Sequence, residues 1–122
     1  MTRLKTSCPL EHEEQANVVQ WFDLQYPQLS RLLFAIPNGA NKSIATAMKF
    51  KREGLRPNFP DLGLAVARRG YNGMFIEMKR VKGGVLSEGQ KQYADDLNAA
   101  GFYACVAYGF DQARQYIDRY LS

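Results

Sequence analysis

The sequence predicts an α/β (α+β) fold, a mixed β-sheet flanked by helices, from three observations. Apolar residues recur at helical spacing near both ends of the chain, four short apolar runs have the length and turn boundaries of strands, and the two patterns interleave. With 122 residues, 46% of them hydrophobic, the chain can close one core and is short for two. Residues 1–122 are therefore expected to form a single domain, with its core from about residue 11 to residue 121.

The elements follow in order. From Glu11 to Tyr26, Val18, Val19, Phe22 and Tyr26 recur at spacings of three and four, a helix that must end before Pro27. Glu11, Glu14 and Gln15 share a face of its first turns. The run RLLFAI at 31–36 reads as a strand, closed by the turn Pro37-Asn38-Gly39 that displays Asn38. SIATAMKFKRE at 43–53 reads as a second helix, with Gly54 at its C-terminus and Pro57 beyond. Two strands, about 61–67 and 73–80, are joined by a turn around Arg69 to Gly73. Ser87 and Gln90 have capping-box spacing for a helix reaching about Ala100, stopped by Gly101. FYACVAY at 102–108 is another strand, and Ala113, Tyr116, Ile117 and Tyr120 share a face of a last helix over 111–121. The order is α, β, α, β, β, α, β, α.

Composition narrows the function. No run approaches the ~20 apolar residues that span a bilayer, and the first residues lack the apolar core of a secretory signal, so no membrane association and a cytoplasmic location are expected. Cys8, Cys105 and the single His12 cannot supply a zinc site. A net charge of +4 favours a polyanionic partner, and its distribution says more. Lys42, Lys49, Lys51, Arg52 and Arg56 form one block; Arg68, Arg69, Lys79, Arg80 and Lys82 form another. Either block could be merely a solvated face.

The chemistry-bearing stretch is FPDLGLAVARRGYNGMFIEMKR at 59–80. On a strand Phe75, Glu77 and Lys79 point to one face, and Met74, Ile76 and Met78 to the other. A hairpin centred near residue 70 would set Asp61 near Lys79 and Gly63 near Glu77. Two carboxylates brought together repel unless one keeps its proton or a cation intervenes. Asp61, Glu77 and the main-chain carbonyl of Met78 suit a partial Mg²⁺ shell left open for a phosphodiester. Lys79 could orient or deprotonate the attacking water, or stabilise the phosphorane oxygens. An E-x-K pair is often only a half-exposed surface pair, but the apolar run before it and the Pro60-Asp61 entry suggest a sheet centre, where charge is costly. Tyr71 could pack at the hairpin tip or stack on a base.

Pro60-Asp61, fifteen residues, then Glu77-Met78-Lys79 resembles the PD-(D/E)XK nuclease signature. With Glu11-x-x-x-Gln15, Pro37-Asn38-Gly39, Glu53-Gly54, Leu86-Ser87-x-x-Gln90 and Gly101-Phe102, the chain resembles the VRR-NUC (virus-type replication-repair nuclease) domain family, over about residues 11 to 121. The resemblance implies a restriction-endonuclease-like fold, Mg²⁺ or Mn²⁺ dependence and hydrolysis of DNA phosphodiesters. It implies Asp61 and Glu77 as metal ligands, Lys79 as the catalytic lysine and a helix-borne glutamate completing the site. The spacing to Gln15 selects Glu11, with Glu14 as the alternative; a first-turn glutamate also simply suits a helix. Gln90 is expected to touch the lysine, the metal's water or the phosphate, or to serve only as a capping-box residue.

One departure is that Asn58-Phe59 stands where members often have a glycine before P-D; asparagine tolerates the left-handed conformation, so the same loop geometry is expected. Asn38, Lys42, Lys49, Arg56, Arg80 and Lys82 are candidates for phosphate contacts, which position DNA without reading its sequence. The stand-alone form resembles phage-encoded members. It implies a homodimer acting on branched DNA, four-way junctions or flaps, in replication, recombination or repair. A restriction-type or end-processing nuclease, and a catalytically inactive nucleic-acid-binding module, are the alternatives.

Overall fold

Alternation along one strand sets the architecture. In the computed structural model, which describes residues 8–37 and 43–122, Met74, Ile76 and Met78 are at most 1% exposed on one face of the central strand. Phe75, on the opposite face, packs edge-on against Phe59 and Phe102. A strand covered on both faces needs helices on both, and the chain supplies them.

The elements are α1 (Glu11–Gln25), β1 (Leu33–Ala35) after a 3₁₀ turn (Ser30–Leu32), α2 (Ile44–Arg52), β2 (Leu62–Leu64), β3 (Met74–Lys79), α3 (Glu88–Ala99), β4 (Tyr103–Tyr108) and α4 (Phe110–Leu121). The predicted α/β order therefore stands. The four strands form one mixed sheet in the order β1-β2-β3-β4, antiparallel at the first two junctions and parallel at the third. A parallel neighbour requires a crossover, which α3 provides between β3 and β4. Among the described residues no helix is long and apolar enough to cross a membrane.

Helices α1 and α4 cover the Met74-Ile76-Met78 face. Val18 and Phe22 of α1 and Ala113 and Ile117 of α4 are fully buried in the same cluster as those strand residues. The Tyr120 hydroxyl, at the end of α4, donates to the carbonyl of Val66 at 2.7 Å. The other face carries α3, whose Tyr93 meets Phe59, which in turn meets Phe75. Helix α2 has no buried residue, and Ser43 caps it by accepting from the amide of Thr46.

The hairpin differs from expectation in length and register. Strand β2 is three residues long, and its partners pair Leu62 with Ile76 and Leu64 with Met74, two residues away from a hairpin centred on Gly70. The turn itself is a tight two-residue one: Arg68 bridges Tyr71, with Arg69 at φ 54° and Gly70 at φ 85°. Between turn and ladder the first limb has three residues and the second two, so one extra residue slides the register as a bulge does. Asp61 thereby comes in line with Glu77 rather than Lys79.

Gly63 sits directly under its cross-strand partner Phe34, and a Cβ there would lie 2.5 Å from the ring. The ring covers the strand where β2 has no side chain of its own.

Burial on α1 predicts stability. Phe22→Ala should cost about 3–5 kcal/mol in urea unfolding, whereas Leu24→Ala, at a position 78% exposed on the same helix, should stay within about 0.5 kcal/mol.

Candidate metal centre and catalytic lysine

The acidic cluster forms where the starts of α1 and β2 meet the second half of β3. Asp61 stands just before β2, with its Oδ2 accepting from the Met78 amide at 2.8 Å. That bond fixes the carboxylate across the gap where β2 has stopped and β3 continues. In an extended strand a residue's N–H and C=O share an edge, so the Met78 carbonyl also turns to this edge, beyond the last β2 pair. Glu77 projects from β3 and is 5% exposed. Glu11 arrives from the first turn of α1. One carboxylate oxygen from each of Glu11, Asp61 and Glu77 lies within 4.8 Å of the others.

Lys79 is two residues along from Glu77 on the same face, and its Nζ is 3.5 Å from Glu77 Oε2. It is 6% exposed. The turn after β3 folds over it so closely that a Cβ at Gly84 would lie 2.9 Å from the Lys79 Cβ. Gln90 serves two partners: its Oε1 accepts from the Ser87 amide at 3.0 Å, closing the capping box, and its Nε2 donates to Glu77 Oε2 at 3.1 Å. The capping role and the site contact coexist in one side chain.

Three neighbouring glutamates take three different partners. Glu13 accepts from the Leu10 amide at 2.9 Å and holds the start of its own helix. Glu14, 5% exposed, accepts from the Phe110 amide at 3.2 Å, placing a carboxylate at the N-terminus of α4. Gly109 has φ 93°, and a Cβ there would press on Glu14 Oε2 at 3.0 Å, so glycine is needed for both reasons. Glu14 is thus held away from the acidic cluster, and Glu11 is the helix-borne carboxylate that joins it.

Glu77 is the strained member. Its carboxyl is pushed up from the ordinary range to about 8, first by burial and then by the nearby charge of Asp61, with Lys79 opposing. Its Oε1 is buried with no hydrogen-bond partner among the described residues. A buried carboxylate oxygen without a partner, on a residue whose carboxylate lies beside those of Glu11 and Asp61, belongs to a donor set that a hard divalent cation takes, so the residues fit such an ion.

Of the candidate DNA contacts, Lys49, Arg56 and Lys82 are exposed. Arg80 is half-buried, and its guanidinium donates to the Cys8 carbonyl at 3.4 Å. Asn38 and Lys42 lie outside the described residues. Asn58 has φ 69°, the left-handed conformation expected of it, and Phe59 fills the aromatic cluster under α3. The link from Cys8 to Arg80 crosses 72 residues and could not be read from spacing. Gly84 against Lys79 carried a weak signal, a glycine pair directly after the charged strand.

An α+β sheet presenting a carboxylate cluster and a buried lysine at one end defines a nuclease-type domain. The model of the VRR-NUC domain family matches residues 3–111, and the chain belongs to that family. A solved structure described as "VRR_NUC domain protein" is similar over 97% of this chain and 91% of its own, at 30% identity and a TM-score of 0.82. Among curated proteins none matches at the same stringency.

The raised Glu77 carboxyl has a consequence for stability. Because the fold favours its protonated form, the stabilisation is fully present below the unfolded value of 4.5 and is lost as pH rises through about 8. In EDTA the melting temperature should fall between pH 5 and pH 8, Glu77→Gln should flatten that fall, and Mn²⁺ should reverse it in the wild type.

Proposed function

We propose that the chain is a single-domain, divalent-metal-dependent DNA endonuclease that acts on branched DNA, as a homodimer where paired cuts are made. The observation that carries this reading is the convergence of Glu11, Asp61 and Glu77 beside the buried Lys79. A binding module has no use for a half-buried carboxylate cluster that costs stability, whereas phosphodiester hydrolysis needs one.

Glu11, Asp61, Glu77 and the Met78 carbonyl would hold Mg²⁺ or Mn²⁺. The ion supplies Lewis acidity towards the scissile phosphate and towards water. Lys79, a compact charge with no acceptor capacity, stabilises negative charge developing on the phosphate oxygens and orients the attacking water. Gln90 keeps Glu77 Oε2 occupied and so helps hold the Glu77 carboxylate in place beside Glu11 and Asp61. Lys49, Arg56 and Lys82 draw in the backbone of the duplex without reading bases. Arg80 adds positive potential beside Lys79 while its guanidinium is anchored to the main chain.

Labelled linear duplex, flap and four-way junction, each with Mg²⁺ or Mn²⁺, test the reading. Wild type should cut the branched substrates in preference to linear duplex. Lys79→Ala and Asp61→Ala should lower the rate by about 10²-fold or more while still binding DNA. Cleavage confined to linear ends would indicate an end-processing or restriction-type enzyme. Binding without cleavage under both metals would refute the catalytic reading.

A further inference from the structure

The far end of the sheet carries a second constellation that the acidic site does not use. Tyr103 opens β4 and pairs with Met74, as Tyr108 pairs with Lys79 at the other end. Five strand steps separate the two ends, about 17 Å at ~3.3 Å per residue. There Tyr103 lies parallel to Tyr120, with ring centroids 5.9 Å apart, and Tyr71 reaches over from the hairpin turn to 5.3 Å from Tyr103. With Tyr116, Arg69 and Arg119 these rings line a cavity of about 140 Å³.

Size and chemistry limit what such a cavity accepts. An apolar cavity of about 150 Å³ takes a benzene ring, so there is room here for one six-membered ring and none for a base pair. The Tyr120 hydroxyl is committed to the Val66 carbonyl. Those of Tyr71, Tyr103 and Tyr116 have no hydrogen-bond partner among the described residues. Neither arginine is paired with a carboxylate among the described residues; Arg69 donates only to the Arg119 carbonyl at 3.3 Å and the Ser122 hydroxyl at 3.5 Å. Asp118, the carboxylate one residue from Arg119, is engaged by Tyr26 and Arg114. Two unneutralised guanidinium groups at the mouth of an aromatic slot match a planar ring bearing a phosphate.

We propose that this cavity is a second DNA contact that takes one unpaired pyrimidine nucleotide, its ring among the tyrosines and its phosphate against Arg69 and Arg119. The proposal rests on the reading of the chain as a DNA nuclease and adds to it a means of choosing substrates with a single-stranded arm. Tyr103, paired with Met74, faces α4 and lies across the sheet from Lys79, so the rise along the strand, about five nucleotides at ~3.4 Å each, is the least that an arm must span. A one-nucleotide arm therefore falls short, and a ten-nucleotide arm reaches.

Binding of hairpin duplexes ending in a one- or ten-nucleotide thymidine arm, measured in EDTA so that the strand stays intact, tests this. Wild type should bind the longer arm on the order of tenfold more tightly, as stacking of a single base supplies. Arg119→Ala and Tyr71→Ala should each reduce that gain to about twofold, with the melting temperature and the metal-dependent cleavage of blunt duplex kept. An equal gain in wild type and both variants, or no gain in wild type, overturns the proposal. So does displacement of the arm by thymidine monophosphate at the concentration at which the ten-nucleotide strand itself displaces it, since the cavity would then serve free nucleotides. If wild type cuts no DNA with Mn²⁺ yet keeps an arm gain that the variants lose, the nuclease reading fails and the cavity's ligand stands.

Discussion

Two carboxylates, Asp61 and Glu77, are held together at one end of the sheet, and the rest of the site follows from that constraint. The Met78 amide pins Asp61 from one side, and Gln90 with Lys79 pins Glu77 from the other. Glu77, 5% exposed, cannot turn away to water. The buried apolar residues around them act as a clamp: Met74, Ile76 and Met78 anchor β3 to α1 and α4, while Phe75, Phe59 and Tyr93 anchor it to α3. The fold thus stores electrostatic strain in Glu77 that a cation joining the cluster would relieve, and the hydrophobic core supplies the stability that tolerates it.

Element type and order were legible because each rests on local chemistry. Helical spacing located α1 and α4, glycine at positive φ marked the ends of α2 and α3, and a serine-glutamine pair marked the start of α3. The hairpin register was not legible. It depends on a tight turn at Arg69-Gly70 and one extra residue on the first limb, which together slide the strand partners by two and leave the apolar alternation unchanged, so the pattern could not reveal it. The consequence was modest because a two-residue slide preserves which face each side chain takes.

The glutamates of α1 show the same limit from the other side. Glu11, Glu13 and Glu14 are chemically identical and adjacent, so spacing alone leaves their roles exchangeable. Tertiary partners separate them: Glu13 closes its own helix start, Glu14 is spent on the α4 N-terminus, and Glu11 is left for the carboxylate cluster. Gln90 runs the opposite way, since one amide with separate donor and acceptor ends satisfies a helix cap and the Glu77 carboxylate together. The cavity of tyrosines and arginines was hidden because its residues come from the hairpin turn, β4 and α4, with no periodicity linking them.

The central claim is that the fold holds Glu77 protonated until a cation joins the cluster. The most direct measurement is the number of protons released when Mn²⁺ binds at pH 7, from titration calorimetry in buffers of different ionisation enthalpy. With the carboxyl raised to about 8, wild type should release about one proton, and Glu77→Gln should release none. Tight Mn²⁺ binding with no proton release, or equal release by Glu77→Gln, would contradict the account.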